Sequence, residues 1–276
     1  MESRLFFTKK FIAILLMNCL PFTGFTQKFV LLDNFYNNEI SSKTGNPFHY
    51  LWEDTEMSGY SEFGELFQQK GFKLSTLREK PDLLNLKNAG IYIIVDPDTP
   101  FETAHPKYMN NMAAASIAKW VKNGGVLLIF ANDYKNAELD SLNILTSLFG
   151  MKFTKLLLHS EKSESGKSRN FNSCASTNLP NHQIFKGVKK IFLKEISSII
   201  CENPAKPILV ESGQTIMAEA NFGKGYVFAV GDPWLYNEYI DHIMLPDDFE
   251  NLKAAKNLVD FLLTKSCKNE ISGIKD

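Results

Sequence analysis

An α/β architecture, with a mostly parallel sheet, helices on both faces and an antiparallel extension, is predicted by three features of the chain. Short, wholly apolar runs such as Val126-Leu-Leu-Ile-Phe130 recur along it, as strands buried on both faces require. Segments of helical periodicity that end at glycine lie between them. From 151 to 223 the pattern changes to strand-like pieces separated by turn residues. Strands alternating with helices imply a parallel sheet with right-handed crossovers.

The elements follow in order. Residues 1–26 read as a secretory leader, with Arg4, Lys9 and Lys10 ahead of the apolar segment Phe11–Leu20 and small residues before a cut after Thr26. That apolar segment is shorter than the about 20 residues a membrane helix needs, so a secreted, periplasmic domain over 27–276 is expected. Phe29-Val-Leu-Leu-Asp33 is the first strand, and Ser61 to Lys70 is a helix stopped by Gly71. Ile91–Asp96 is a strand, Met112–Lys122 a helix stopped at Gly124-Gly125, Val126–Phe130 a strand, and Leu139–Phe149 a helix stopped by Gly150. Lys152–Leu158, Lys190–Ile200, Lys206–Val210 and Thr215–Ala220 form the antiparallel extension, with a polar loop at Ser160–Asn170. Tyr226–Val230 is the last strand, and the amphipathic helix Asn251–Thr264 follows.

Composition excludes several functions. Lys and Arg number 30 against 31 Asp and Glu, for a net charge of −1, and losing the leader makes the remainder more acidic. Nucleic acid, which needs a basic surface, is therefore a poor partner. Cys174, Cys201 and Cys267 have no C-x-x-C spacing, and His49, His105, His159, His182 and His242 are scattered, so no metal site is predicted. No glycine-rich phosphate loop is present, since Gly223-Lys-Gly225 reads as a hairpin turn, and no cofactor is expected. Ala131-Asn-Asp133 after its strand offers no nucleophile elbow.

Two runs carry most of the functional groups. Gly231-Asp-Pro-Trp-Leu-Tyr-Asn-Glu-Tyr239 sets an acid, an amide and three aromatics behind the last strand, a composition suited to stacking on a sugar ring and binding its hydroxyls. Asn46-Pro-Phe-His-Tyr-Leu-Trp-Glu-Asp54 lies in a long connection, where His49, Tyr50, Trp52 and Glu53 are placed to serve a site. Asp33-Asn34, Asp96-Pro-Asp98, Asn132-Asp133 and Asp232 each follow a strand, and ligands bind outside the carboxyl ends of such strands. Capping and turn formation explain Asp33 or Asn132 equally well when each is taken alone.

Read together, Asp33-Asn-Phe, Pro47–Asp54, Tyr92–Pro100, Leu193-Lys-Glu-Ile-Ser-Ser198 and Gly231–Tyr239 resemble the domain that accompanies unsaturated rhamnogalacturonyl hydrolases of glycoside hydrolase family 105. The fold so implied is Rossmann-like, of the class I glutamine amidotransferase-like kind, without that superfamily's nucleophilic cysteine. Stand-alone secreted members resemble oligosaccharide dehydratases, which are lyases. The activity implied is loss of water from a non-reducing-end uronic acid, leaving a 4,5-unsaturated end during ulvan-like polysaccharide degradation, with a uronate oligosaccharide as partner and a functional link to a family 105 hydrolase. That chemistry needs a base at C5, for which His49 is the first choice, and an acid for the C4 hydroxyl, from Tyr50 or Tyr236. Asn34, Asn237 or Lys194 would hold the carboxylate and Trp52 or Trp234 the ring. Glu53, Asp98, Asn132 and Asp232 complete the expected sugar contacts. A non-catalytic sugar-binding module is the main rival, and a hydrolase using two of Glu53, Asp54 and Glu238 is a third reading.

Overall fold

The computed structural model describes residues 29–159, 170–243 and 245–271. The expected leader and nearly all of the polar loop at 160–170 lie outside these residues, as do the side chains of Trp234, Glu238 and Cys267. In chain order come β1 (Phe29–Asp33), α1 (Ser61–Gln68), β2 (Lys73–Leu77), β3 (Ala89–Val95), α2 (Asn111–Lys122), β4 (Val126–Phe130), α3 (Leu139–Thr146) and β5 (Met151–Leu158). Then follow β6 (Ala175–Ser176), β7 (Ile191–Phe192), β8 (Ile196–Cys201), β9 (Lys206–Glu211), β10 (Gln214–Phe222), β11 (Gly225–Val230) and α4 (Asn251–Ile271).

The main sheet runs β2-β1-β3-β4-β11-β10-β8-β5, with β9 also paired to β10. Its first five strands are parallel, and β10, β8 and β5 continue it antiparallel, as the change of pattern after residue 150 predicts. The strand β2 was not among the expected elements. Lys73-Leu-Ser-Thr-Leu77 is half polar because it is an edge strand with one well-buried residue, so it lacks the apolar run that marks β1, β3 and β4. The expected strand Lys190–Ile200 is two strands, broken at Leu193–Glu195, where Glu195 takes a left-handed φ of 53°.

Alternate residues of the parallel strands enter two separate cores, which is why these strands read apolar throughout. Val30, Leu32, Ile91 and Ile93 pack with Phe63 and Phe67 of α1 and Leu258 and Leu262 of α4. Leu31, Tyr92 and Ile94 pack on the other face with Ile117 and Val121 of α2 and Leu142 and Leu145 of α3. The protein is therefore a mixed α/β fold with helices on both sides of a large sheet. Its strand order reverses between β1 and β3, where an open α/β sheet has a crevice at the carboxyl ends. No helix among the described residues is long and apolar enough to cross a membrane.

Candidate functional site

A buried polar cluster lies at that end of the sheet. Asp33, ending β1, accepts the amides of Phe35 and Tyr36 at 3.2 and 2.7 Å and the Tyr92 phenol at 2.5 Å, so it forms the turn leaving the strand. The turn brings Asn37 over β3, where its Nδ2 donates to the Asp96 carbonyl at 3.2 Å. Asn37 is 1 % exposed, and its Oδ1 has no hydrogen-bond partner among the described residues. Asp96 in turn accepts Asn132 Nδ2 from the end of β4 at 3.2 Å and is buried beside the Tyr50 phenol. Asp98 accepts the Asn38 amide at 2.6 Å.

Beside this cluster, His49 Nδ1 lies 2.5 Å from Glu39 Oε2. The His49 side chain is 34 % exposed, while that of Glu39 is only 11 % exposed, so the pair presents one imidazole edge outward from a buried carboxylate. Glu102 approaches the same place, its Oε2 accepting from the Thr99 amide and hydroxyl at 2.9 and 3.0 Å, and the charge of His49 acts on it. His49, Tyr50 and Asp96 have φ of 60°, 48° and 41°, half of the six non-glycine residues in the left-handed region among those described. Such backbone concentrates where a site holds it in place.

The electrostatics follow from crowding carboxyls into a buried space. Burial, then the charge of Glu102, pushes Asp96 well above the carboxylate range. Burial lifts Asp98 to about 8 and Glu102 to about 7, and Asp33 to about 6 against its hydrogen bonds. Several of these acids are therefore protonated near neutrality and can donate a hydrogen bond. Burial and Asp96 also raise the Tyr50 phenol, making it a weaker acid. No cluster of three or more His, Cys, Asp or Glu among the described residues could hold a metal ion.

The predicted site residues separate into groups. His49, Tyr50, Asp98 and Asn132 meet at the cluster just described. Asn34 turns inward to donate from Nδ2 to the Asn37 carbonyl at 2.7 Å. Trp52 is 7 % exposed and gives its indole N–H to the Ser75 carbonyl of β2 at 3.0 Å, with Glu53 exposed beside it. Asp232 accepts the Lys194 amide at 2.8 Å, and Lys194 Nζ pairs with Glu195 at 3.3 Å. Tyr236 and Asn237 are fully buried. Tyr236 stacks on Phe130 and Phe63 at 4.8 and 5.1 Å, and its phenol is pushed up by burial and then by Asp232, so it lies in the core rather than at an open cleft. The Trp234 side chain is outside the described residues. Glu39, Asn37 and Glu102, absent from the sequence expectations, complete the cluster. Glu39 and Glu102 sit in ordinary polar loops, and only the proximity of Glu102 to Asp96-Pro-Asp98 hinted at it.

The description "Domain of unknown function (DUF4350)" matches residues 53–242. No curated protein matches the sequence. Among solved structures, the N-terminal domain of mmIFT52 superposes with a TM-score of 0.62 at 14 % identity, covering 86 % of this chain and 98 % of that one. Cytoplasmic protein STM1381 from Salmonella typhimurium LT2 superposes with a TM-score of 0.53 at 14 % identity, covering 86 % and 99 %. At such identities the likeness is one of fold. These matches overturn the expected kinship with the glutamine amidotransferase-like domain of family 105 hydrolases and with uronate dehydratases. The motifs that suggested it have structural duties here: Asp33 makes a turn, Trp52 holds β2 and Tyr236 fills the core.

Proposed function

The chain belongs to the DUF4350 family, and for this member we propose an acid–base enzyme that eliminates water from a hydroxylated acid, with an oligosaccharide ending in a uronic acid as substrate class. The observation that carries this reading is the 2.5 Å contact of His49 with Glu39 beside Glu102. Glu39 occupies Nδ1, which leaves Nε2 of the half-exposed ring as the base. His49 takes the proton from the carbon next to the carboxyl group, the electron pair forms the carbon–carbon double bond, and the hydroxyl on the following carbon departs as water with a proton from Glu102. With a pKa of about 7, Glu102 is well matched to give and regain a proton at neutral pH. Asp96 and Asp98, held neutral by burial, lessen the repulsion that an anionic substrate would otherwise meet.

A saccharide-binding module without proton transfer is a second reading, favoured by the aromatics at the rim. Phe101 is 93 % exposed next to Glu102, and Phe48 is 40 % exposed with its ring 3.6 Å from that of His49. Incubation with saturated uronate-ended oligosaccharides separates the two, following absorbance of the conjugated acid together with product mass. Loss of water supports the enzyme, and binding without loss of water supports the module. Chain cleavage would instead indicate a hydrolase.

A further inference from the structure

The end of the sheet opposite the His49 cluster carries the reverse charge. All five parallel strands begin there. The segments leading into four of them, residues 69–72, 85–88, 119–125 and 223–224, each contain lysine and no aspartate or glutamate. Lys73, Lys87, Lys119, Lys122 and Lys224 are all exposed. None of the five pairs with an acid among the described residues, whereas Lys70 beside them pairs with Asp260. The carboxyl end instead gathers Glu39, Asp96, Asp98, Glu102, Asp133 and Asp232.

Register sets these lysines in a row. Phe29 of β1 stands between Lys73 of β2 and Ala89 of β3, Val126 of β4 is level with Ile91 and Tyr226, and the Lys224 amide donates to the Lys122 carbonyl at 2.9 Å. From β2 to β11 the row crosses the width of five strands, about 20 Å at the usual spacing. The negative end of the α2 dipole accounts for Lys119 and Lys122. It does not account for Lys73, Lys87 or Lys224, which belong to other elements. Unpaired cations concentrated at one end of a chain of net charge −1 make that end attractive to a polyanion.

Three observations favour a lipid surface as that polyanion. Lysine alone supplies the charge, since the one arginine among the described residues, Arg78, follows β2 at the other end. Separate ammonium charges suit a diffuse array of headgroups, while the guanidinium fork is the better reader of a nucleic-acid backbone. Leu84 is 66 % exposed and its carbonyl accepts the Lys87 amide at 3.4 Å, so a free apolar side chain shares a turn with one of the lysines. Lastly, β1 begins at this end, so the apolar segment Phe11–Leu20, with Arg4, Lys9 and Lys10 before it, joins the domain on the lysine face.

We propose that the amino end of the sheet is a docking face for an anionic lipid bilayer, held by Lys73, Lys87, Lys119, Lys122 and Lys224. Docked in this way, the protein leaves the His49 cluster at the carboxyl end facing solvent. The inference does not rest on the acid–base reading, since it uses none of that cluster's residues.

Co-sedimentation of the full chain with vesicles tests it. Vesicles containing phosphatidylglycerol should bind the protein at least about tenfold more tightly than vesicles of phosphatidylcholine alone, and added salt should remove the difference. K73Q/K122Q/K224Q should lose about tenfold or more of that preference, and K43Q/K107Q/K135Q, which removes the same charge at the carboxyl end, should keep it. Residues 1–28 are present in every variant, so their own attraction to lipid cancels in the comparison. Circular dichroism checks the fold of both variants, and the salt dependence of the parent remains decisive if either is unfolded. Equal binding to the two kinds of vesicle, or an equal loss in the two variants, would overturn the assignment. Retention on duplex DNA without binding to vesicles would overturn it in favour of a nucleic-acid surface.

Discussion

Tyr60 Oη donates to the Pro233 carbonyl at 2.9 Å, joining the loop after β1 to the loop after β11 across 173 residues of sequence. The bond spans the carboxyl edge of the sheet. After burial, Asp232 and then Asp96 raise the pKa of the Tyr60 phenol. The two aromatic runs thus share one structural edge, with His49 partly exposed and Tyr236 packed as core.

If His49 is the base, His49→Ala should lower the elimination rate ~100- to 10,000-fold in a protein with an unchanged circular dichroism spectrum. Glu39→Gln keeps the shape but loses the charged anchor of the imidazole, and a loss on the order of 100-fold is expected from misplacement of the base. Initial rates on a uronate-ended oligosaccharide measure both. Full activity in folded His49→Ala would remove His49 from the mechanism.

Tyr236→Phe distinguishes a core tyrosine from a catalytic one. The phenol oxygen is buried with no hydrogen-bond partner among the described residues, so removing it should leave stability unchanged or raise it by up to about 1 kcal/mol. Activity should persist. A large fall in rate with intact stability would restore Tyr236 as a proton donor.

Stability should fall as pH rises from about 4 to about 8. Asp33, Glu102 and Asp98 hold their protons to about 6, 7 and 8 in the folded chain, against ordinary values of 3.8, 4.5 and 3.8. Over that window the native state binds protons that the unfolded chain has already released, which makes unfolding easier at higher pH. Asp98→Asn keeps an acceptor for the Asn38 amide and removes one of these protons from the balance. Urea midpoints should therefore decline less steeply with pH in the variant, and a slope equal to the parent's would count against a buried, protonated Asp98.

Gly231→Ala and Gly213→Ala should behave very differently. A Cβ at Gly231 would lie 1.8 Å from the Ser197 carbonyl oxygen, a backbone atom that cannot rotate aside, and the loss should reach about 3 kcal/mol or prevent folding. At Gly213 nothing lies within 4 Å, and the only penalty is the left-handed backbone, about 1–2 kcal/mol. Thermal midpoints of the two variants provide the comparison.

Much of the fold could be read from the sequence because its parallel strands are buried on both faces. Val126–Phe130 and Tyr226–Val230 have no polar position to confuse the pattern, and the glycines at 71 and 150 mark helix ends. An edge strand such as Lys73–Leu77 has no such signature, since half of it faces water. Of the candidate site, Asp96-Pro-Asp98 and His49 stood out in the sequence, because polar residues there follow a strand or crowd a long connection. It was not legible at Glu39, whose role depends on a contact made across ten residues of irregular loop. The aromatic run at 231–239 misled for a physical reason: tyrosine serves a core and a sugar platform with the same ring, and composition alone cannot separate the two.

The left-handed backbone at His49, Tyr50 and Asp96 bears on how this chain can change over evolutionary time. Each such residue destabilises the fold by about 1–3 kcal/mol relative to a relaxed conformation, and glycine or asparagine at the same position would relieve part of that burden. Random drift under selection for stability alone would tend to erase all three. If the proposed chemistry is right, their joint presence at one end of the sheet marks where robustness and activity pull in opposite directions, and a laboratory search for hardier variants would sacrifice that chemistry first.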